Sequence, residues 1–188
     1  MSMTKQVLFL QGGGAGAYDE DKALAESLRL ALGSAYTIHY PAMPGEDDPE
    51  YELWWREIER ELQALGDDLV LVAHSVGAFI FLKFIVEHSI ETRLAGIFLI
   101  APPFIGDGGW NLEGMALPPA FAANLPKDIP LFLYHARDDE VVPFAHFALY
   151  RQSLPQAIFR PLDAGEHQLN NDLSQVAADI KDLVGGGN

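Results

Sequence analysis

The sequence contains no cysteine. That absence excludes disulfides, thiolate nucleophiles and cysteine-ligated metal sites together. Basic residues are scarce: 12 Lys and Arg stand against 27 Asp and Glu, a formal net charge of −15. A surface of that sign repels phosphate backbones and anionic lipid headgroups, so neither nucleic acid nor a membrane is expected as a partner. Long apolar runs are missing as well, and no stretch approaches a membrane span. The opening MSMTKQVLFLQGGG has an apolar core of only Val7 to Leu10, without the longer run and small-residue cleavage site of a secretory leader. The expected location is the cytoplasm. No internal repeat or low-complexity segment divides the chain, and 188 residues suit a single domain with a substantial core. Residues 185–188, within the closing VGGGN, read as a flexible tail.

What is present is an alternation of short apolar runs with longer helical patterns. Strands are expected at Val7–Gln11, Tyr36–Tyr40, Leu69–His74, Leu94–Ala101, Leu131–His135 and Gln156–Leu162. Between them, Asp19–Leu32 carries Leu24, Leu28 and Leu32 at helical spacing and stops at Gly33. A second helix is expected to open with Asp48 as N-cap, Pro49 at its first position and Glu50 in its first turn, and to end at Gly66. Val76–His88 is apolar nearly all round, as a helix buried on several sides must be. Pro143–Ser153 and Asp172–Val184 complete the helices. Strand–helix alternation implies a three-layer α/β/α sandwich around a six-stranded, mostly parallel sheet. LVLVA, GIFLIA and LFLY are continuous apolar runs suited to central strands, whereas His39, Arg160 and Pro161 interrupt the second and sixth, which suits edges. The strand order is therefore expected to be 2-1-3-4-5-6, with a topological switch point beside strands one and three.

Three segments at strand carboxyl ends carry the chemistry. Strand three runs into VAHSVGAF, where a serine at a sharp strand-to-helix turn, flanked by Ala73 and Gly77, has the form of a nucleophile elbow. A helix N-cap serine is the plainer account of the same residues. A serine nucleophile needs a base and the base an acid, in the chain order Ser, Asp or Glu, His. Strand five leads into HARDDEVVPFAHF, with Asp139 as the acid candidate and Asp138 and Asp163 as alternatives. Strand six leads into LDAGEHQLNND, with His167 as the base. Each residue alone reads as an ordinary turn or loop residue, but three in this order on one rim point to catalysis. His74 is expected to point away from Ser75. His39, His88, His135 and His146 show no ligand spacing, so no metal site is expected, and no cofactor.

QGGG, AHSVG, DDEVVP and GEH together resemble the α/β-hydrolase series of oxyanion loop, elbow, acid turn and histidine loop, over almost the whole chain. The short length and DDEVVPFAHF are most similar to small lidless members, the retinoblastoma-binding-protein-9-like serine hydrolases among them. The resemblance implies a sheet lacking the first two strands of larger members, with Ser75, Asp139 and His167 at the triad positions. The sequence departs at Ala73, where the elbow has glycine, and at Gln11, where many members have histidine.

The glycine-rich LFLQGGGAGAY then has two readings. Gly12, Gly14 and Ala17 satisfy a dinucleotide fingerprint, but TIHYPAMPG offers no acid at the tip of strand two for a ribose. An oxyanion loop beside the elbow is the reading that strand order 2-1-3 permits, with the N–H groups of Gly13 and Val76 as donors and Gly14 as the alternative to Gly13. The expectation is a serine esterase of small acyl compounds, without metal or organic cofactor. Residues 102–129 should cover the pocket, with Trp110, Met115, Leu117 and Phe121 at an apolar acyl site. A protein-binding module on the same fold and a nucleotide-binding oxidoreductase are the competing classes. Oligomeric state leaves no mark in the sequence.

Overall fold

The computed structural model describes residues 4–185. Its elements run β1 (Lys5–Leu10), α1 (Ala17–Leu32), β2 (Tyr36–His39), α2 (Tyr51–Leu65), β3 (Leu69–His74), α3 (Ser75–Glu87), β4 (Leu94–Ile100), β5 (Leu131–Ala136), α4 (Ala145–Ser153), β6 (Ile158–Leu162) and α5 (Ser174–Gly185). The six strands form one sheet in the order β2-β1-β3-β4-β5-β6. Every neighbouring pair is parallel. Gly185 closes α5, and residues 186–188 of the expected tail lie outside the described residues.

The continuous apolar strands are explained by what they touch. Alternate residues leave a strand on opposite faces, and here both faces are covered. Val7, Phe9, Val70, Val72, Phe98 and Phe132 meet α1 and α5 through Leu24, Leu28, Val176 and Ile180. Leu8, Leu10, Leu71, Leu99 and Leu133 meet α2, α3 and α4 through Trp54, Ile58, Phe79 and Phe147. Every residue of β3 is buried, whereas all four of β2 remain partly exposed. The edges are the polar strands because solvent reaches them. Of the two tryptophans on α2, Trp54 is the core residue, its indole N–H donating to Pro44 O at 2.7 Å.

The observed helix starts lie within two residues of the expected Asp19, Pro49, Val76, Pro143 and Asp172, and α2 differs in its cap as well. Asp48 does not cap α2: the cap is Glu50, in extended conformation, and Asp48 N–H instead closes a turn on Gly45 O at 3.1 Å. Pro49 lies against the glycine loop, where a Cβ built on Gly13 would fall 2.6 Å from its ring. A tertiary contact has displaced the local helix signal by two residues. Residues 102–129, between β4 and β5, hold one short 3-10 turn at Phe121–Asn124 and a single bridge from Ile105 to Trp110. Among the described residues no helix is long and apolar enough to cross a membrane.

Candidate active site

β1, β3, β5 and β6 deliver their carboxyl ends to one rim, with the β1–β3 switch point at its centre. Ser75 is the first residue of α3 and holds φ 51°, in the left-handed region. An L side chain there costs on the order of 1–2 kcal/mol, and the surrounding structure has to enforce it. The tight turn brings α3 against β1 at Gly77, where an added Cβ would lie 2.0 Å from Gln11 O. Only glycine fits. Ala73 is tolerated at the other flank because its methyl group packs within the apolar cluster beneath α3.

The structure brings Ser75, His167 and Asp139 into one hydrogen-bonded chain. His167 Nε2 lies 2.9 Å from Ser75 Oγ, and His167 Nδ1 donates to Asp139 Oδ2 at 2.8 Å. With the carboxylate at Nδ1, Nε2 is left to accept the serine proton. The backbone N–H groups of Val141 and Val142 donate to Asp139 Oδ1, both at 2.9 Å. His135 Nε2 donates to Val142 O at 2.8 Å and stands 3.2 Å from Asp139 Oδ2. Burial works against the charge of Asp139. The hydrogen bonds from His135, His167 and Val142, with the charge of His167, outweigh it and hold the carboxyl well below the usual carboxylate range. Asp138 points elsewhere: its Oδ1 accepts from Gly165 and Glu166 N–H, both at 2.9 Å, and so clamps the loop carrying His167. Asp163 is exposed and pairs with Arg137 at 3.6 Å.

The glycine loop lies beside this chain. Gly12 N–H donates to Asp21 Oδ2 at 2.7 Å and Gly14 N–H to Glu46 O at 2.6 Å. Gly13 N–H has no acceptor among the described residues, and Gly13 sits against Val76, 3.2 Å from its side chain to a built Cβ. Gln11 is fully buried, with Oε1 accepting from Met43 N–H at 2.9 Å and Nε2 donating to Glu46 at 2.8 Å. Glu46 accepts in turn from Tyr18 N–H at 2.7 Å. A carboxylate of the chain itself therefore occupies the N-terminus of α1, where a dinucleotide would place its pyrophosphate. Sequence reading missed Asp21 here and took Glu46, with Asp47 and Asp48, only as rim acidity that disfavours polyanionic substrates, since both residues belong to surface-like acidic runs.

The four apolar residues of the insertion pack downward. The Trp110 ring meets His146 edge-on, with centroids 5.3 Å apart, over the first turn of α4. His146 Nδ1 accepts from Phe104 N–H at 2.8 Å and anchors the insertion to that helix. Leu117 and Phe121 line a cavity of about 640 Å³ with Gln152 and Ser153, at the last turn of α4. Met115 packs against the same core. Among the described residues no group of three or more His, Asp or Glu is placed to hold a metal ion.

The sequence matches the serine hydrolase family over residues 26–174, a span that includes Ser75, Asp139 and His167 and begins after the glycine loop. A search of curated proteins finds no match. Among solved structures, the chain is similar to the ydeN gene product from B. subtilis, at 22% identity and TM-score 0.73, covering 97% of this chain and 100% of that one. It is also similar to a serine hydrolase involved in carbazole degradation, the CarC enzyme, at 14% identity and TM-score 0.72, covering 98% and 92%. A third is the esterase domain of a Rhodothermus marinus protein, at 19% identity and TM-score 0.66, covering 99% and 87%. At these identities the likeness is one of fold.

Proposed function

From the premise that this chain belongs to the serine hydrolase family, we propose that it hydrolyses esters or related small acyl compounds through Ser75, His167 and Asp139. The observation that carries the reading is the unbroken chain from Ser75 Oγ to His167 to Asp139 beside a free Gly13 N–H. Ser75 Oγ attacks the acyl carbon while its proton passes to His167 Nε2. The carbonyl oxygen becomes an oxyanion between the N–H groups of Gly13 and Val76. Such a donor is worth roughly 10²–10³ in kcat. His167 returns the proton to the leaving oxygen, freeing the alcohol. Water then attacks the acyl-enzyme with His167 as base, releasing the acid and restoring Ser75. Asp139 stays ionised throughout, fixing the tautomer of His167 and stabilising its cation.

The lidless, retinoblastoma-binding-protein-9-like subgroup is the proposed place within the superfamily, supported by the resemblance of DDEVVPFAHF. Residues 102–129 are proposed as the cover on the acyl side. Trp110 is the best placed of its apolar residues. It stands at the end of α4 nearest the Asp139 turn, whereas Gln152 lies six residues further along, about 9 Å. A panel of neutral esters against wild type and Ser75→Ala tests the reading. The variant should fold and lose about three orders of magnitude or more in kcat, and it should no longer be labelled by a fluorophosphonate probe. Undiminished turnover in folded Ser75→Ala would refute Ser75 as the nucleophile, whereas a folded wild type with neither turnover nor labelling would leave a binding module on a hydrolase fold as the account.

A further inference from the structure

A second polar chain, unused by the reaction scheme above, runs through the interior behind Ser75. Asp21 on α1 and His74 at the end of β3 are each 1% exposed. Asp21 Oδ2 accepts from Gly12 N–H at 2.7 Å and from His74 Nδ1 at 2.8 Å, while Oδ1 accepts from Gln168 Nε2 at 2.9 Å. His74 Nε2 lies 3.1 Å from the backbone carbonyl of His167, and the two imidazole rings are 4.7 Å apart.

Both nitrogens of His74 thus face groups that can only accept, a carboxylate and a carbonyl. Each must carry a proton, so His74 is an imidazolium and Asp21 its counter-ion. Burial opposes both charges. For His74 the Asp21 carboxylate, its hydrogen bond, the His167 carbonyl and the more distant Asp139 prevail and raise it above the ordinary histidine range. For Asp21 burial is likewise outweighed, by the charge and hydrogen bond of His74 and by the bonds from Gly12 and Gln168, and its carboxyl is lowered. Glu46 and Tyr40 are the other groups that feel the Asp21 charge. A buried ion pair is an inefficient route to stability, since well-packed apolar groups often do as well or better. What this pair supplies is placement. Asp21 holds the glycine loop one residue before the free Gly13 N–H, and through the two protons of His74 it holds the backbone of His167.

We propose that the Asp21–His74 pair is the positioning unit of the active site, setting the oxyanion loop and the general base from one buried carboxylate. The proposal rests on the assignment of Ser75 and His167 above. Neutral His74 has one ring proton and can serve only one of the two links, so removing the counter-charge must release either Gly12 or His167. Asp21→Asn does this with little change of volume, and its amide can turn towards Gln168 Oε1, which has no partner among the described residues.

The test combines kinetics with a direct reading of the proton. In Asp21→Asn, kcat should fall about 10- to 100-fold with KM nearly unchanged, the cost of a catalytic group displaced by up to an ångström. With the counter-charge gone, burial keeps His74 neutral, so the loss should hold at a similar size from pH 6 to 9. In the wild type, ¹⁵N spectra of the histidine rings, assigned through His74→Gln, should show both nitrogens of His74 protonated at pH 8. That measurement stands even if the variant fails to fold. A neutral His74 at pH 8, or an Asp21→Asn enzyme with wild-type kcat from pH 6 to 9, overturns the proposal while Ser75→Ala remains inactive. Full activity in Ser75→Ala would instead remove the assignment on which it rests.

Discussion

Replacing Gly77 by alanine should damage this active site more than its single methyl group suggests. A Cβ at residue 77 would lie 2.0 Å from Gln11 O and 3.1 Å from its carbonyl carbon, both backbone atoms. Real Cβ atoms essentially never approach closer than 3.0 Å, so either α3 or the end of β1 must move by about 1 Å. Neither moves alone. Gln11 is anchored to Met43 and Glu46, and the next residue is tied to Asp21. On the other side, Ser75 starts the helix two residues earlier. Overpacking of this kind costs roughly 1–3 kcal/mol of stability. The same displacement separates Gly13 N–H from Val76 N–H, and a misplacement of about 1 Å costs on the order of 10²-fold in rate. Ester turnover should therefore fall about 100-fold in protein that still melts cooperatively, with Tm several degrees lower. Thermal denaturation and steady-state kinetics on one preparation read both. Wild-type kcat together with wild-type Tm would refute the claim that α3 and β1 are in contact at Gly77.

Asp139→Asn should cut kcat by about 10⁴-fold by favouring the wrong His167 tautomer. Asp138→Asn, which keeps an acceptor for Gly165 and Glu166, should stay within a few-fold; equal losses on an ester assay would undo the distinction. Gln11→Leu strands Met43 N–H and frees Glu46, and should destabilise the protein by about 1–3 kcal/mol in a urea titration. The folded Asp21 carboxyl is lowered, so its stabilisation is lost as pH falls below about 4, whereas that of the raised His74 is lost as pH rises above about 6.5. The Tm gap between wild type and Asp21→Asn should thus be widest between those limits, and a gap that keeps growing towards pH 9 would contradict the pair. Burial lowers His146, with His135 adding to it, and its Nδ1 must stay unprotonated to accept Phe104 N–H. That contribution is lost as pH falls below about 6.5, so the protection factor of the Phe104 amide, its deuterium exchange corrected for the intrinsic pH dependence, should be smaller at pH 5 than at pH 7.

Fold and candidate site were legible in the sequence to different depths. Apolar burial is a property of one element at a time: LVLVA is buried on both faces wherever it sits in a parallel sheet, and His39 or Pro161 marks an edge without reference to any partner. Strand order 2-1-3-4-5-6 follows from such local marks, and so does the placement of Ser75, Asp139 and His167 at strand ends on one rim. Tertiary structure decided what depends on pairs of elements. Asp138 and Asp139 are neighbours of equal chemistry, and only the approach of the loop after β6 turns Asp139 towards His167 and Asp138 to the backbone of Gly165 and Glu166. Gly13 is distinguished from Gly12 and Gly14 because their N–H groups are taken by Asp21 and Glu46. Asp21 reads as a surface position of an acidic helix, yet it meets partners 53 and 147 residues away. Polar contacts of that range leave no periodic trace, because a hydrogen bond needs two atoms within about 3 Å and the chain alone says nothing of how its helices lie on the sheet.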